Sequence, residues 1–145
     1  DFVPSRGLGD VYKRQIYHLS KWIKDQKVEI RSKVQNKGGT MRLGAYPAKI
    51  KKGTMAYSIY KKAIVSERHR HRFEVNVNYQ KTLEDNGLTF SGFSQDGSLP
   101  EVVELSSHPF FLGVQFHPEL KSKPFEPHPI FSAFIKKALE QTRLV

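Results

Sequence analysis

Apolar and polar positions along this chain fall into short blocks with two different periods. Residues 110–116 (Phe110-Phe111-Leu112-Gly113-Val114-Gln115-Phe116) form a nearly continuous apolar run, the pattern of a strand covered on both faces. Leu43 to Ile50 reads as a strand that Pro47 demotes to an edge or bulged position. Ala63 to Ser66 is a brief apolar strand, and Leu88 to Phe93 is another. The Asp-Gly signal in Gln95-Asp96-Gly97-Ser98 predicts a hairpin whose return strand is Val102 to Leu105. Helical spacing alternates with these strands. Thr54 can cap a short helix through Tyr60, and Asn76 or Asn78 can cap one that carries Tyr79, Thr82 and Leu83 inward and stops at Gly87. A last helix from about His128 to Thr142 has Ile130, Phe131, Phe134, Ile135 and Leu139 on one stripe, predicted to be core.

The N-terminal quarter is less regular. Ile16, Leu19, Trp22, Ile23 and Val28 lie partly at helical spacing, which suits a short helix or an irregular surface insertion, and Gly38-Gly39 marks a turn. Asp1 to Gln15 has no packing face and reads as a non-native leader or disordered arm. Its Pro4 to Gln15 stretch resembles translated sequencing-adaptor read-through, the alternative being a genuine flexible arm. The expected organisation is therefore residues 1–15 apart from one domain over 16–145. Strands interspersed with helices give an α/β class, part of a mixed sheet flanked by helices with the last helix on the sheet.

Composition narrows the chemistry. The chain has 145 residues, 38% of them hydrophobic, and no cysteine, which excludes disulfides, thiolate metal sites and a cysteine nucleophile within this sequence. No window approaches the roughly eighteen apolar residues of a membrane span. With no export signal either, a cytoplasmic setting without membrane contact is the expectation. A net charge of +10 favours polyanionic partners. The lysine clusters Lys49-Lys51-Lys52 and Lys61-Lys62 suit a solvated basic face. Nucleic acid is not an expected partner, because the aromatic residues sit in apolar segments and do not alternate with basic ones.

Three segments carry candidate chemistry. The apolar run ends in His117-Pro118-Glu119, where a carboxylate two residues beyond an imidazole can fix its tautomer and stabilise its charged form, as alternate residues of a strand share a side. In Glu67-Arg68-His69-Arg70-His71-Arg72, an extended backbone would point Arg68, Arg70 and Arg72 the same way, a row able to clamp a carboxylate or phosphate. A solvated basic loop is the alternative there, and a metal site on His69 and His71 lacks any other local ligand. Gly38-Gly39-Thr40-Met41-Arg42-Leu43-Gly44 lacks the Gly-Lys-Ser/Thr ending of a P-loop and reads as a turn before a strand.

Taken together, Gly38 to Pro47, Ser66 to Asn76 and Gly113 to Glu119 resemble, in order and spacing, the C-terminal class I glutamine amidotransferase (glutaminase) domain of the CTP synthase family. Agreement runs from about Lys37 to the last helix and includes Phe90-Ser91-Gly92, Val102-Val103-Glu104 and Pro127-His128-Pro129. The resemblance implies the C-terminal part of a flavodoxin-like domain. It also implies a parent enzyme, a homotetramer, that hydrolyses glutamine at a Cys-His-Glu triad and passes ammonia to an N-terminal synthetase domain. There UTP is aminated to CTP with ATP and Mg2+, under activation by GTP. By motif, His117 would be the general base and Glu119 would orient it, while Arg72 would hold the α-carboxylate of glutamine; Arg68 and Arg70 receive no role. No cofactor is expected on this portion itself.

The departures from the family pattern concern the nucleophile. The family's cysteine elbow and oxyanion hole precede the Gly-Gly-Thr-Met segment and have no counterpart here, so the chain reads as a C-terminal fragment expected to have no glutaminase activity alone. Ser20 to Gln35 is longer than in many members, and Ala48 stands where cysteine is common. Two rivals remain at this point: a different class I amidotransferase, or a basic nucleic-acid-binding module.

Overall fold

The computed structural model describes residues 41–142, together with the backbone of Ile16–His18, Lys21–Lys24 and Lys27–Ile30. Asp1 to Gln15 and Gly38-Gly39-Thr40 lie outside the described residues, and with them the expected leader and the first turn. Where the sequence suited a short helix or an irregular surface insertion, the described backbone is not helical but forms strands: β1 (Ile16–His18), β2 (Lys21–Lys24) and β3 (Lys27–Ile30). β2 and β3 form an antiparallel hairpin with Lys24 opposite Lys27. The sequence reason is a pair of four-residue runs around a two-residue Asp25-Gln26 link, a hairpin spacing that outweighs the weak helical period.

The body of the fold is a five-stranded sheet in the order β5-β4-β7-β8-β9. Its strands are β4 (Arg42–Ile50), β5 (Ile64–His71), β7 (Leu88–Ser94), β8 (Pro100–Leu105) and β9 (Leu112–Val114). All its pairings are antiparallel, so the parallel pairs of a mixed sheet do not occur among the described residues. A short strand β6 (Phe73–Val75) pairs separately with β1. Among the described residues three α-helices accompany the strands: α1 (Met55–Tyr60), α2 (Gln80–Asp85) and α3 (Pro129–Thr142). The α/β class is as the sequence predicts.

Two strand expectations need correction. β4 is not an edge over its whole length: Ala48 to Ile50 lie between β5 and β7, while among the described residues 42–47 pair with β5 alone, so Pro47 itself holds an edge position. Pro47 is tolerated because pairing with β7 begins only at Ala48, leaving the proline with a ladder on one side. Conversely, the apolar run 110–116 is not a strand buried on both faces. Only Leu112–Val114 is extended, it is half-buried, and among the described residues it pairs with β8 alone.

The sheet curls on itself. Gln115 N–H continues the β8 ladder by donating to Glu101 O at 3.0 Å, and two residues later His117 N–H donates to Arg68 O of β5 at 2.8 Å. The chain leaving β9 therefore closes onto the opposite edge of the same sheet. At the β7–β8 bulge the Val102 side chain lies against the backbone of Gly92: a Cβ there would meet Val102 Cγ2 at 2.7 Å, so only glycine fits.

Inside this curl the residues are graded. One end is apolar, with Ala48, Ile50, Val65, Val102 and Phe116 packed against Ala56 of α1 and Ile130 of α3. The other end holds buried Arg42, Glu67, His69 and Glu101. Register explains the gradient, since Ala48 faces Val65 while Tyr46 faces Glu67 and Arg42 faces His71 across the same strand pair.

Helix α1 forms where predicted. Thr54 Oγ1 accepts from Tyr57 N–H at 3.2 Å, and Lys61 ends the helix in the left-handed region at φ 54°. Asn76 caps a short 3-10 turn leading into α2 rather than α2 itself, Thr82 is exposed, and Gly87 ends the segment at φ 95°. The stripe on α3 is a correction of larger consequence. Only Ile130 is buried, while Phe134, Ile135 and Leu139 are 51%, 57% and 56% exposed. The helix packs on α1, and Phe134 meets Phe110 edge-on, so the sheet covers little of it.

Candidate active site

His117 is set by its backbone before its side chain is considered. Its N–H is tied to Arg68 O, and its carbonyl accepts from Leu120 N–H at 3.1 Å, closing a 3-10 turn over Pro118–Leu120. Proline at the first position of that turn fixes the chain direction without losing a hydrogen bond. Glu119 thereby returns under the imidazole, and His117 Nδ1 lies 2.7 Å from Glu119 Oε1. The sequence expected this pairing from strand alternation; the structure makes it with a turn.

A carboxylate only accepts, so His117 Nδ1 carries the hydrogen and the lone pair of a neutral ring is on Nε2. The bond from His117 holds the Glu119 carboxyl below the ordinary carboxylate range. Both side chains reach solvent, at 39% and 57% exposure. The ring can thus take a proton from a group outside the described residues while its far side stays anchored.

The arginine row divides. Along β5, Val65, Glu67 and His69 turn inward and Ser66, Arg68 and Arg70 outward, as alternation requires. Arg68 and Arg70 share the outer face. Arg72 falls in the one-residue break between β5 and β6, is partly buried, and is not bound to the alternation. It leaves the chain about 13 Å along the strand from the carbonyl that holds His117.

Sequence reading missed the buried ionic groups beneath this surface. Arg42 donates to Glu101 Oε1 at 2.5 Å, lies 3.5 Å from Glu74, and stacks over Tyr46 with 4.6 Å to the ring centroid. Tyr46 and Phe116 each meet the His69 ring edge-on. Glu67, 1% exposed, accepts from Tyr60 Oη at 3.1 Å and contacts His128 Nε2 at 3.0 Å. Burial, then the charge and bond of Glu67, push the Tyr60 hydroxyl well above its usual range. The available signal was Glu101 and Glu104 inside the otherwise apolar run Leu99 to Leu105, where a carboxylate needs a partner. Among the described residues no group of three or more His, Cys, Asp or Glu side chains is arranged to hold a metal ion. No described helix is long and apolar enough to cross a membrane.

Comparison with known proteins places this geometry in a family. Residues 8–137 match the model of the family described as glutamine amidotransferase class-I, a span that begins within the segment 1–15. The chain is 59% identical over 127 residues to a CTP synthase of Maricaulis maris, covering 88% of this chain and 23% of that protein. It is 55% identical over 134 residues to a CTP synthase of Cereibacter sphaeroides, covering 92% and 24%. It therefore spans about a quarter of the length of these relatives. Among solved structures, the glutaminase domain of the Trypanosoma brucei CTP synthase with bound acivicin superposes with a TM-score of 0.67 at 42% identity, over 73% of this chain and 43% of that one. A Thermoplasma acidophilum protein described as a putative GMP synthase component shares the fold at 16% identity and a TM-score of 0.53, over 72% of this chain and 47% of that one. A family match over nearly the whole chain, carried on an α/β frame with a paired imidazole and carboxylate, means that this chain belongs to the class I glutamine amidotransferases.

Proposed function

We propose that this chain is the His-Glu-bearing portion of the glutaminase domain of a CTP synthase, and that its parent enzyme aminates UTP to CTP with ammonia taken from glutamine. One observation carries the reading: His117 Nδ1 is held by Glu119 at 2.7 Å, leaving Nε2 for proton transfer, in a chain 55–59% identical to CTP synthases. His117 would accept the proton of a thiol; the thiolate would attack the amide carbon of glutamine. His117 would then return that proton to the departing nitrogen, so that ammonia leaves and an acyl-enzyme remains for water to hydrolyse. Glu119 keeps the ring in the required tautomer and balances its charge when protonated.

Arg72 is the group assigned to the α-carboxylate of glutamine. It follows the end of β5, the strand whose Arg68 carbonyl holds His117, and its guanidinium offers a carboxylate a planar fork of donors. This sequence contains no cysteine, so the thiol has to come from elsewhere in the parent protein, and the chain alone is expected to show no glutamine turnover. ATP, UTP and Mg2+ would act in a synthetase domain outside this chain. GTP activation, tetrameric assembly and a cytoplasmic setting likewise belong to the parent enzyme.

The test is His117→Gln in the full-length protein, measured with glutamine and with ammonia as nitrogen donor. Glutamine-dependent CTP formation should fall by roughly 10²-fold or more while ammonia-dependent formation persists. Equal glutamine-dependent rates in variant and parent would refute the assignment.

A further inference from the structure

The polar end of the curl holds more ionisable groups than the proposed chemistry uses. Arg42 of β4, His69 of β5, Glu74 of β6 and Glu101 of β8 are each no more than 2% exposed, with His71 at their rim. Tyr46 of β4 packs on the same cluster, and the charge of His117, beyond β9, acts on His69. Their contacts constrain where the hydrogens sit. His71 Nδ1 lies 2.9 Å from the carbonyl oxygen of Phe73, which only accepts, so this nitrogen carries a hydrogen. The 2.8 Å contact between His69 Nδ1 and His71 Nε2 needs one more.

If His69 supplied it, both rings would be neutral and the bare Nε2 of His69 would face Glu101 Oε2, 3.7 Å away, as two buried acceptors. If His71 supplies it, His69 turns its own hydrogen from Nε2 toward that carboxylate, and His71 becomes an imidazolium 3.4 Å from Glu74. The choice rests on Glu101. Burial raises its pKa, but Arg42 on its other oxygen opposes this, and a neutral acid would forfeit that charge-assisted bond. In the second arrangement the charges of Arg42 and His71 cancel those of Glu74 and Glu101. With Glu101 ionised in both, the second arrangement holds one hydrogen more than the first. The first becomes the second when a proton from solvent adds to His69 Nε2 and the Nδ1 hydrogen of His69 passes to His71 Nε2.

We infer that the Glu101 carboxylate, 3.7 Å from His69 Nε2, orients His69 so that its Nδ1 accepts a hydrogen bond from His71, and that this directed relay holds His71 as an imidazolium next to Arg72, making His69 and His71 positioning residues for an anionic ligand. His69 itself stays neutral: burial first, then the charges of Arg42, His71 and His117, push it down to about 2. The link to a ligand rests on the role proposed for Arg72, whereas the protonation pattern does not.

The experiment is 15N-histidine NMR of the full chain near neutral pH, with His69 and His71 assigned from H69Q and H71Q chains. Expected are the two close 15N shifts of an imidazolium for His71 and the widely split shifts of a neutral ring protonated on Nε2 for His69. A neutral His71 beside His69 protonated on Nδ1 would overturn the relay. Glu101→Gln can donate to His69 Nε2 and should reverse the relay, so that His71 loses its imidazolium signature; an unchanged His71 in a folded E101Q chain counts against it. Should E101Q not fold, H71Q supplies the check: its amide can donate to or accept from His69 Nδ1, so Glu101 alone sets the tautomer, and the relay expects His69 protonated on Nε2, whereas His69 protonated on Nδ1 counts against it. An imidazolium at His71 in full-length protein that does not bind glutamine would sink the role of Arg72 and leave the relay standing.

Discussion

Glu119 shows how little burial an anchoring carboxylate requires. It is 57% exposed, yet the bond from His117 keeps its carboxyl below the ordinary value of 4.5. A depressed carboxyl delivers its contribution above its ordinary value and loses it only as pH falls through the lowered one. From neutrality down to the ordinary carboxylate range, Glu119 therefore remains an ionised acceptor. In the full-length protein Glu119→Gln, which can still accept but carries no charge, is expected to lower glutaminase kcat by roughly 10²-fold. Glu119→Ala should cost more, and a kcat against pH series of both variants measures the difference. The pairing of residues 117 and 119 was legible in the sequence from their spacing, although strand alternation was the reason expected and a 3-10 turn is what brings them together. His69, by contrast, was read as one of a basic run, because no local pattern reveals that the first and fourth strands of a curled sheet bring it against Glu101.

Glu104 in β8 reaches across to α1, where its carboxylate accepts from Met55 N–H at 2.9 Å and Ala56 N–H at 3.0 Å. A six-residue helix is too short to persist by propensity, so this buried anchor and the Thr54 cap decide its position. Glu104→Gln is expected to destabilise the chain by about 1–2 kcal/mol, read as a lowered urea midpoint at unchanged m. No change would mean that the packing of Ala56 suffices. Thr54 made α1 legible in advance, since capping is a local bond, whereas Glu104 stood out in its apolar run without any sign of its partner, which is 49 positions away. The same distinction accounts for β9. A run of apolar residues announces burial without saying which side is covered, and Phe111 and Leu112 fall at the sheet's rim.

At the scale of the molecule, the apolar face of α3 sets behaviour in solution. Burying a residue of the size of Phe134, Ile135 or Leu139 releases about 1.5–3 kcal/mol, and in this chain that stabilisation is largely unrealised. Self-association of the isolated chain is the expected result. Changing Ile135 and Leu139 together to Lys should make the chain sediment as a monomer at concentrations where the parent self-associates, with little loss in urea midpoint. Loss of the fold instead would mean that α3 contributes more to the core than its exposure implies. Helical spacing made this stripe legible but not its fate, because amphipathic period marks a face seeking cover and not the cover itself.

The closure between His117 and Arg68 has one more consequence. The peptide group of the proposed base is itself the stitch joining the two rims of the sheet, so scaffold and chemistry share a single fastening. Whatever loosens that seam, from a slackened β5 to a frayed β9, misaims the ring without touching any side chain that reacts.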